Sequence, residues 1–114
     1  MPNVLTHNDS YTHAQTIRVM GTVQGVGFRP FVWRLAQQFN LRGRVWNDSE
    51  GVVIQVWGAD NALAAFRHQL RSAAPPLAQI ESIHFVPLSD LNSPDDFSIV
   101  ESQGGNALTN VSPD

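Results

Sequence analysis

Apolar and polar residues alternate from Thr16 to Gln24, with Ile17, Val19 and Val23 on one side and Arg18, Met20, Thr22 and Gln24 on the other. That period of two predicts a first strand. The period then lengthens: Phe31, Val32, Leu35, Ala36 and Phe39 recur at helical spacing and predict an amphipathic helix from Pro30 to Asn40. Gly43 to Asn47 reads as a second strand, Asp48-Ser49-Glu50-Gly51 as a turn, and Val52 to Trp57 as a third strand. In the third strand Val52, Ile54 and Val56 face one way and Val53, Gln55 and Trp57 the other. Asp60 or Asn61 supplies a cap for a second helix with the stripe Leu63, Phe66, Leu70 and Ala73 or Ala74, and Pro75-Pro76 stops it. Ile80 to Val86 predicts a fourth strand, and Phe97 to Val100 a short fifth one at an edge.

The order β-α-β-β-α-β plus one small strand matches the split βαβ, or ferredoxin-like, plan: an α+β two-layer sandwich with both helices on one face of an antiparallel sheet. In that plan the first and second strands run the same way with the third between them. Their carboxyl ends share one edge of the sheet, which brings Asn47 toward the turn that follows the first strand. Residues 1–15 carry no apolar period and read as a flexible leader. The domain then spans 16–101, and the Gly-, Asn- and Ser-rich stretch 102–114 reads as a linker leading out of it.

The turn after the first strand is Val23-Gln24-Gly25-Val26-Gly27-Phe28-Arg29-Pro30. Its two glycines admit φ > 0 and let successive N–H groups point inward, which forms an anion nest. The following helix adds unpaired N–H groups and the positive end of its dipole. Pro30 suits the first helical position and biases Arg29 away from the helical region, holding it at the cap. An arginine there opposes the dipole at a cost of about 0.3–1 kcal/mol, which a bound anion offsets. The loop therefore reads as a phosphate cradle closed by Arg29. A second reading has Arg29 pairing with an acid or capping a neighbouring carboxyl terminus. Asn47 before Asp48 is also a common turn element, and Asp48 and Glu50 bring negative charge close to it.

Composition narrows the chemistry. With 42% hydrophobic and 15% charged residues, the chain of 114 is that of one globular domain. It holds no cysteine, which excludes disulfides, thiol catalysis and thiolate metal sites within the chain. His7, His13, His68 and His84 show no ligand spacing, so no metal site is expected. No apolar run reaches membrane-spanning length and no basic-then-apolar leader opens the chain, so a cytoplasmic domain that contacts no membrane is expected. The net charge of −3 argues against a general nucleic-acid binder. Its distribution is uneven, however: Ser10 to Asn47 holds Arg18, Arg29, Arg34, Arg42 and Arg44 and no acid, whereas the stretch after Asn47 holds nine of the ten acids with only Arg67 and Arg71. Such a local positive region attracts small anions without attracting polyanions broadly. Trp33, Trp46 and Trp57 read as packing residues, with Trp46 and Trp57 alternatively forming a contact face.

The string Gly-x-Val-Gln-Gly-Val-x-Phe-Arg at Gly21 to Arg29 and Gly-x-Val-x-Asn at Gly43 to Asn47 together resemble the acylphosphatase family, with Gly51 and Gly58 bracketing the next strand as the family's glycines do. Phe28-Arg29-Pro30-Phe31-Val32, Asn47-Asp48 and Pro75-Pro76-Leu77-Ala78-Gln79-Ile80 look most like the N-terminal acylphosphatase-like domain of the HypF carbamoyltransferases of [NiFe]-hydrogenase maturation. The resemblance implies hydrolysis of a carboxyl–phosphate anhydride by water, without metal. By motif match Arg29 and the amides of Gln24, Gly25, Val26, Gly27, Phe28 and Arg29 bind the phosphoryl oxygens, and Asn47 holds the attacking water. In the longer family the implied substrate is carbamoyl phosphate and the final acceptor a HypE-like protein. Zinc and ATP belong to domains outside this stretch, so no cofactor is expected here, and the isolated domain is expected to be a monomer. A free-standing acylphosphatase and a non-catalytic phosphate-binding or docking module of the same fold remain the alternatives.

Overall fold

The computed structural model describes residues 12–90 and 92–101. Five strands and two helices follow one another: β1 (His13–Thr22), α1 (Phe28–Gln38), β2 (Arg42–Asn47), β3 (Gly51–Gly58), α2 (Asp60–Ser72), β4 (Gln79–Pro87) and β5 (Phe97–Ile99). The sheet order is β4-β1-β3-β2-β5. All pairings are antiparallel except β2 with β5, which run parallel, so the short edge strand makes the sheet mixed. The architecture is the ferredoxin-like α+β sandwich that the element order predicts.

One face of the sheet carries the core. Ile17 pairs with Ile54, Val19 with Val52 and Val45 with Ile54, all fully buried. Val32 and Ala36 of α1 and Leu63, Phe66 and Leu70 of α2 close over them. On the other face Val53 and Trp57 are nonetheless buried. The segment between β4 and β5, which links opposite edges of the sheet, lies against Trp57: its indole Nε1 donates to the Asp90 carbonyl at 2.8 Å. Trp57 is thus a packing residue and offers no contact face, while Trp46 is half-buried.

Several boundaries move from where periodicity puts them. β1 takes in His13, Ala14 and Gln15, which the sequence reading leaves in the leader, and it ends at Thr22 instead of Gln24. Helix α1 begins at Phe28, so Pro30 is its third residue and Arg29 its second, not its cap. Proline is tolerated there because the first N–H groups of a helix have no intrahelical acceptor anyway. At the other end, Asn40 at φ 56°, with Asn40 N–H on Gln37 O and Leu41 N–H on Ala36 O, closes α1 by a Schellman turn that plants Leu41 in the core. Ala59 caps α2 without a side-chain hydrogen bond, and Asp60 sits inside the first turn, where its charge favours the dipole. Ala74, not Ala73, completes the stripe. Most of the predicted leader (1–11) and the predicted linker (102–114) lie outside the described residues.

Candidate active site

Residues 24–27 form the turn between β1 and α1. Val23 and Phe28, each 1% exposed, pin its two ends into the core. Between them Gly25 and Gly27 adopt φ 77° and 80°. A Cβ at either would meet nothing within 4 Å, so glycine is required by the dihedral angles and the space in front of the loop is open. Among the described residues, no short, well-aligned hydrogen bond runs from the N–H groups of 24–29 to a main-chain carbonyl. The start of α1 has neither a side-chain cap nor an acid in its first turn. The loop amides, the helix dipole and Arg29 make this point electropositive. Helix α2 shows the ordinary arrangement by contrast, with Asp60 in its first turn and Arg71 in its last.

Arg29 is half-buried, and its Nη1 donates at 3.4 Å to the carbonyl of Val100, just beyond β5. That long bond to a neutral acceptor orients the guanidinium, which carries five N–H donors in all. Val100 in turn donates its N–H to the Val45 carbonyl at 2.8 Å, two residues before Asn47. The arginine therefore hangs over the same corner of the sheet that Asn47 occupies.

Asn47 ends β2 opposite Val52, which is itself opposite Val19. Direct partners share a face, so the register places Asn47 on the helix-covered side, at the edge from which the glycine loop springs. Its Oδ1 is buried and accepts no hydrogen bond. Leaving such an acceptor unpaired costs about 1–3 kcal/mol, and an orphan of this kind asks for a donor that the chain does not itself provide.

The neighbouring carboxylate is directed elsewhere. Asp48 Oδ2 takes a 2.6 Å hydrogen bond from Arg18, and its Oδ1 accepts the Glu50 and Gly51 amides at 2.8 and 3.1 Å. Partial burial pushes the Asp48 pKa up, but the Glu50 amide, the Arg18 hydrogen bond and charge, and the Gly51 amide outweigh it and hold the carboxyl below its ordinary value. Arg18 lies on the face away from the helices, opposite Val53, so this negative charge is paired behind the sheet. The Gln24 side chain, read from sequence only for its main-chain amide, donates Nε2 to the carbonyls of Asp48 at 2.8 Å and Gly51 at 2.9 Å. Periodicity gives no sign of these side-chain links. The one legible signal is Asp48 three residues ahead of Gly51, the pattern of an Asx-closed turn.

The sequence profile of the Acylphosphatase family matches residues 15–99. The chain belongs to the acylphosphatase family. As a member it is 38% identical to the acylphosphatase of Staphylococcus haemolyticus, over 75% of this chain and 93% of that one. It is 48% identical to the carbamoyltransferase HypF of Rhodobacter capsulatus over 89% of this chain, which is 13% of that protein. The acylphosphatase fold found here superposes on a crystal structure of full-length HypF in a phosphate- and nucleotide-bound form with a TM-score of 0.79 and 38% identity, over 83% of this chain and 12% of that one. The chain thus spans a small part of the HypF proteins and nearly the full length of the small acylphosphatase. Among the described residues, no helix is long and apolar enough to cross a membrane, and no three metal-ligating side chains gather.

Proposed function

We propose that this acylphosphatase-like domain hydrolyses small acyl phosphates, with carbamoyl phosphate as the substrate in a HypF-type carbamoyltransferase that supplies cyanide ligands to [NiFe]-hydrogenase by way of a HypE-like acceptor. The observation that carries the catalytic reading is the buried, unpartnered Oδ1 of Asn47 beside an electropositive loop. Membership of the family and the likeness to HypF proteins support the substrate class.

The N–H groups of residues 24–29 and the Arg29 guanidinium hold the three phosphoryl oxygens, where bidentate arginine donors match the geometry. Asn47 Oδ1 accepts a hydrogen bond from a water and turns its lone pair toward phosphorus, opposite the leaving oxygen. Water attacks phosphorus, and the bond from phosphorus to the acyl oxygen breaks with its electron pair. A carboxylate (carbamate from carbamoyl phosphate) departs, and both hydrogens of the water end on inorganic phosphate. A carboxylate leaves readily without protonation, so positioning and charge stabilisation supply the acceleration.

Hydrolysis of benzoyl phosphate and of carbamoyl phosphate, each with inorganic phosphate as inhibitor, tests this reading. Arg29→Ala is expected to lower kcat/KM by about 10²–10³-fold, the range for removing an oxyanion donor, and to weaken phosphate inhibition. Asn47→Ala is expected to lower kcat with little change in phosphate inhibition. Wild-type rates in Arg29→Ala would overturn the cradle assignment. Turnover of benzoyl phosphate but not of carbamoyl phosphate would overturn the substrate.

A further inference from the structure

Asn47 has no protein donor at Oδ1, so its orientation depends on the backbone of a strand end. Strand ends fray, and a catalytic amide on one needs a tether. Three side chains converge on the turn immediately after it. Asp48 closes the β2–β3 turn with both carboxylate oxygens engaged, one on the Glu50 and Gly51 amides and one on Arg18. Arg18 stands on β1, the strand that leads into the glycine loop, and Glu50 approaches the same guanidinium at 3.9 Å. Gln24, in the loop itself, bridges the Asp48 and Gly51 carbonyls, which lie on either side of the turn. The Asp48 N–H adds a 3.0 Å bond to the Gly51 carbonyl.

We propose that Arg18, Asp48 and Gln24 form a clamp that fixes the Asn47 strand end against the glycine loop, making them positioning residues for the hydrolysis. This rests on the water-holding role of Asn47 argued above. Arg18 and Asp48 act from behind the sheet, so they set the distance from the attacking water to the phosphoryl group without touching either. Phosphate affinity, set by the loop amides and Arg29, is independent of the Arg18–Asp48 pair behind the sheet, whereas the chemical step is not.

The test compares R18Q, D48N, Q24L, R18Q/D48N, N47A and N47A/D48N for kcat with benzoyl phosphate and for the inhibition constant of inorganic phosphate. Each clamp variant is expected to lower kcat roughly tenfold, as a small misplacement of a reacting group does, with phosphate inhibition held within about twofold in R18Q and D48N, which lie outside the loop. R18Q/D48N is expected to be no slower than its slower parent, and D48N to add nothing in the N47A background, since the residues act as one unit through Asn47. A slow N47A with clamp variants at the wild-type rate would overturn this proposal alone. N47A at the wild-type rate would overturn the role of Asn47 and the clamp with it. A second readout needs no turnover: the NMR signals of the Asn47 side-chain amide should move and broaden in D48N, and unchanged signals would refute the clamp.

Discussion

The indole of Trp57 and the carbonyl of Asp90 meet at 2.8 Å, beneath the segment that carries the chain from one edge of the sheet to the other. That bond fastens the crossing segment to the central strand β3. It lies at the opposite end of β3 from the turn that follows Asn47. Trp57→Phe, which removes the donor, is expected to cost about 1–3 kcal/mol in urea unfolding and to leave kcat for an acyl phosphate unchanged.

Two glycines separate conformation from crowding. Gly27 has φ 80° and open space at its Cβ position, whereas Gly43 has φ 147° and a Cβ there would collide with the Gln55 carbonyl of the neighbouring strand. Gly27→Ala is expected to cost only the left-handed strain, about 1–2 kcal/mol, and to fold with weakened phosphate binding. Gly43→Ala must push β2 away from β3 and is expected to lower the urea midpoint much further. Parallel unfolding titrations of the two variants give the comparison.

Asp48 makes stability depend on acid. Its folded pKa lies below the ordinary carboxylate value, so the unfolded chain binds the proton more tightly. The stabilisation is complete above the unfolded value of about 3.9 and is lost as pH falls through the lower folded value. Asp48→Asn should therefore flatten the decline of unfolding free energy on the acid side, measured by urea melts from neutral pH down through the carboxylate range. An equally steep decline in the variant would place the acid sensitivity elsewhere.

Phosphate should stabilise the folded protein through the loop. Free phosphate at 100 times its Kd adds about 2.7 kcal/mol to unfolding free energy, a rise in Tm that calorimetry reads directly. In Arg29→Ala that rise is expected to shrink or vanish at the same phosphate concentration. Asn47→Ala should keep most of it.

What the sequence made legible is what local pattern controls. The alternation in Val52–Trp57 and the stripe Leu63, Phe66 and Leu70 gave the correct faces, because burial on one side is written at every second or every third to fourth residue. That the glycine loop and Asn47 share one end of the sheet followed from element order alone. Element ends were harder. Pro30 marks any early helical position, so it could not distinguish a start at Pro30 from one at Phe28. The shift in register between Met20 and Gly21 where β1 meets β4 left no trace in the alternation. Contacts between distant positions were hidden altogether. Arg18 meets Asp48 only through the pairing of three strands, and Trp57 is covered by a segment whose path no periodicity describes.

The guanidinium of Arg29 is hung from the last hydrogen-bonded point of β5, a strand of three residues at the rim of the sheet. Short rim strands are among the first parts of a fold to open. Tension or a docked surface acting on the polypeptide just past Ile99 would therefore reach the Arg29 guanidinium through the Val100 carbonyl. In the proposed mechanism, the grip on substrate is thereby coupled to the place where the backbone leaves the sheet.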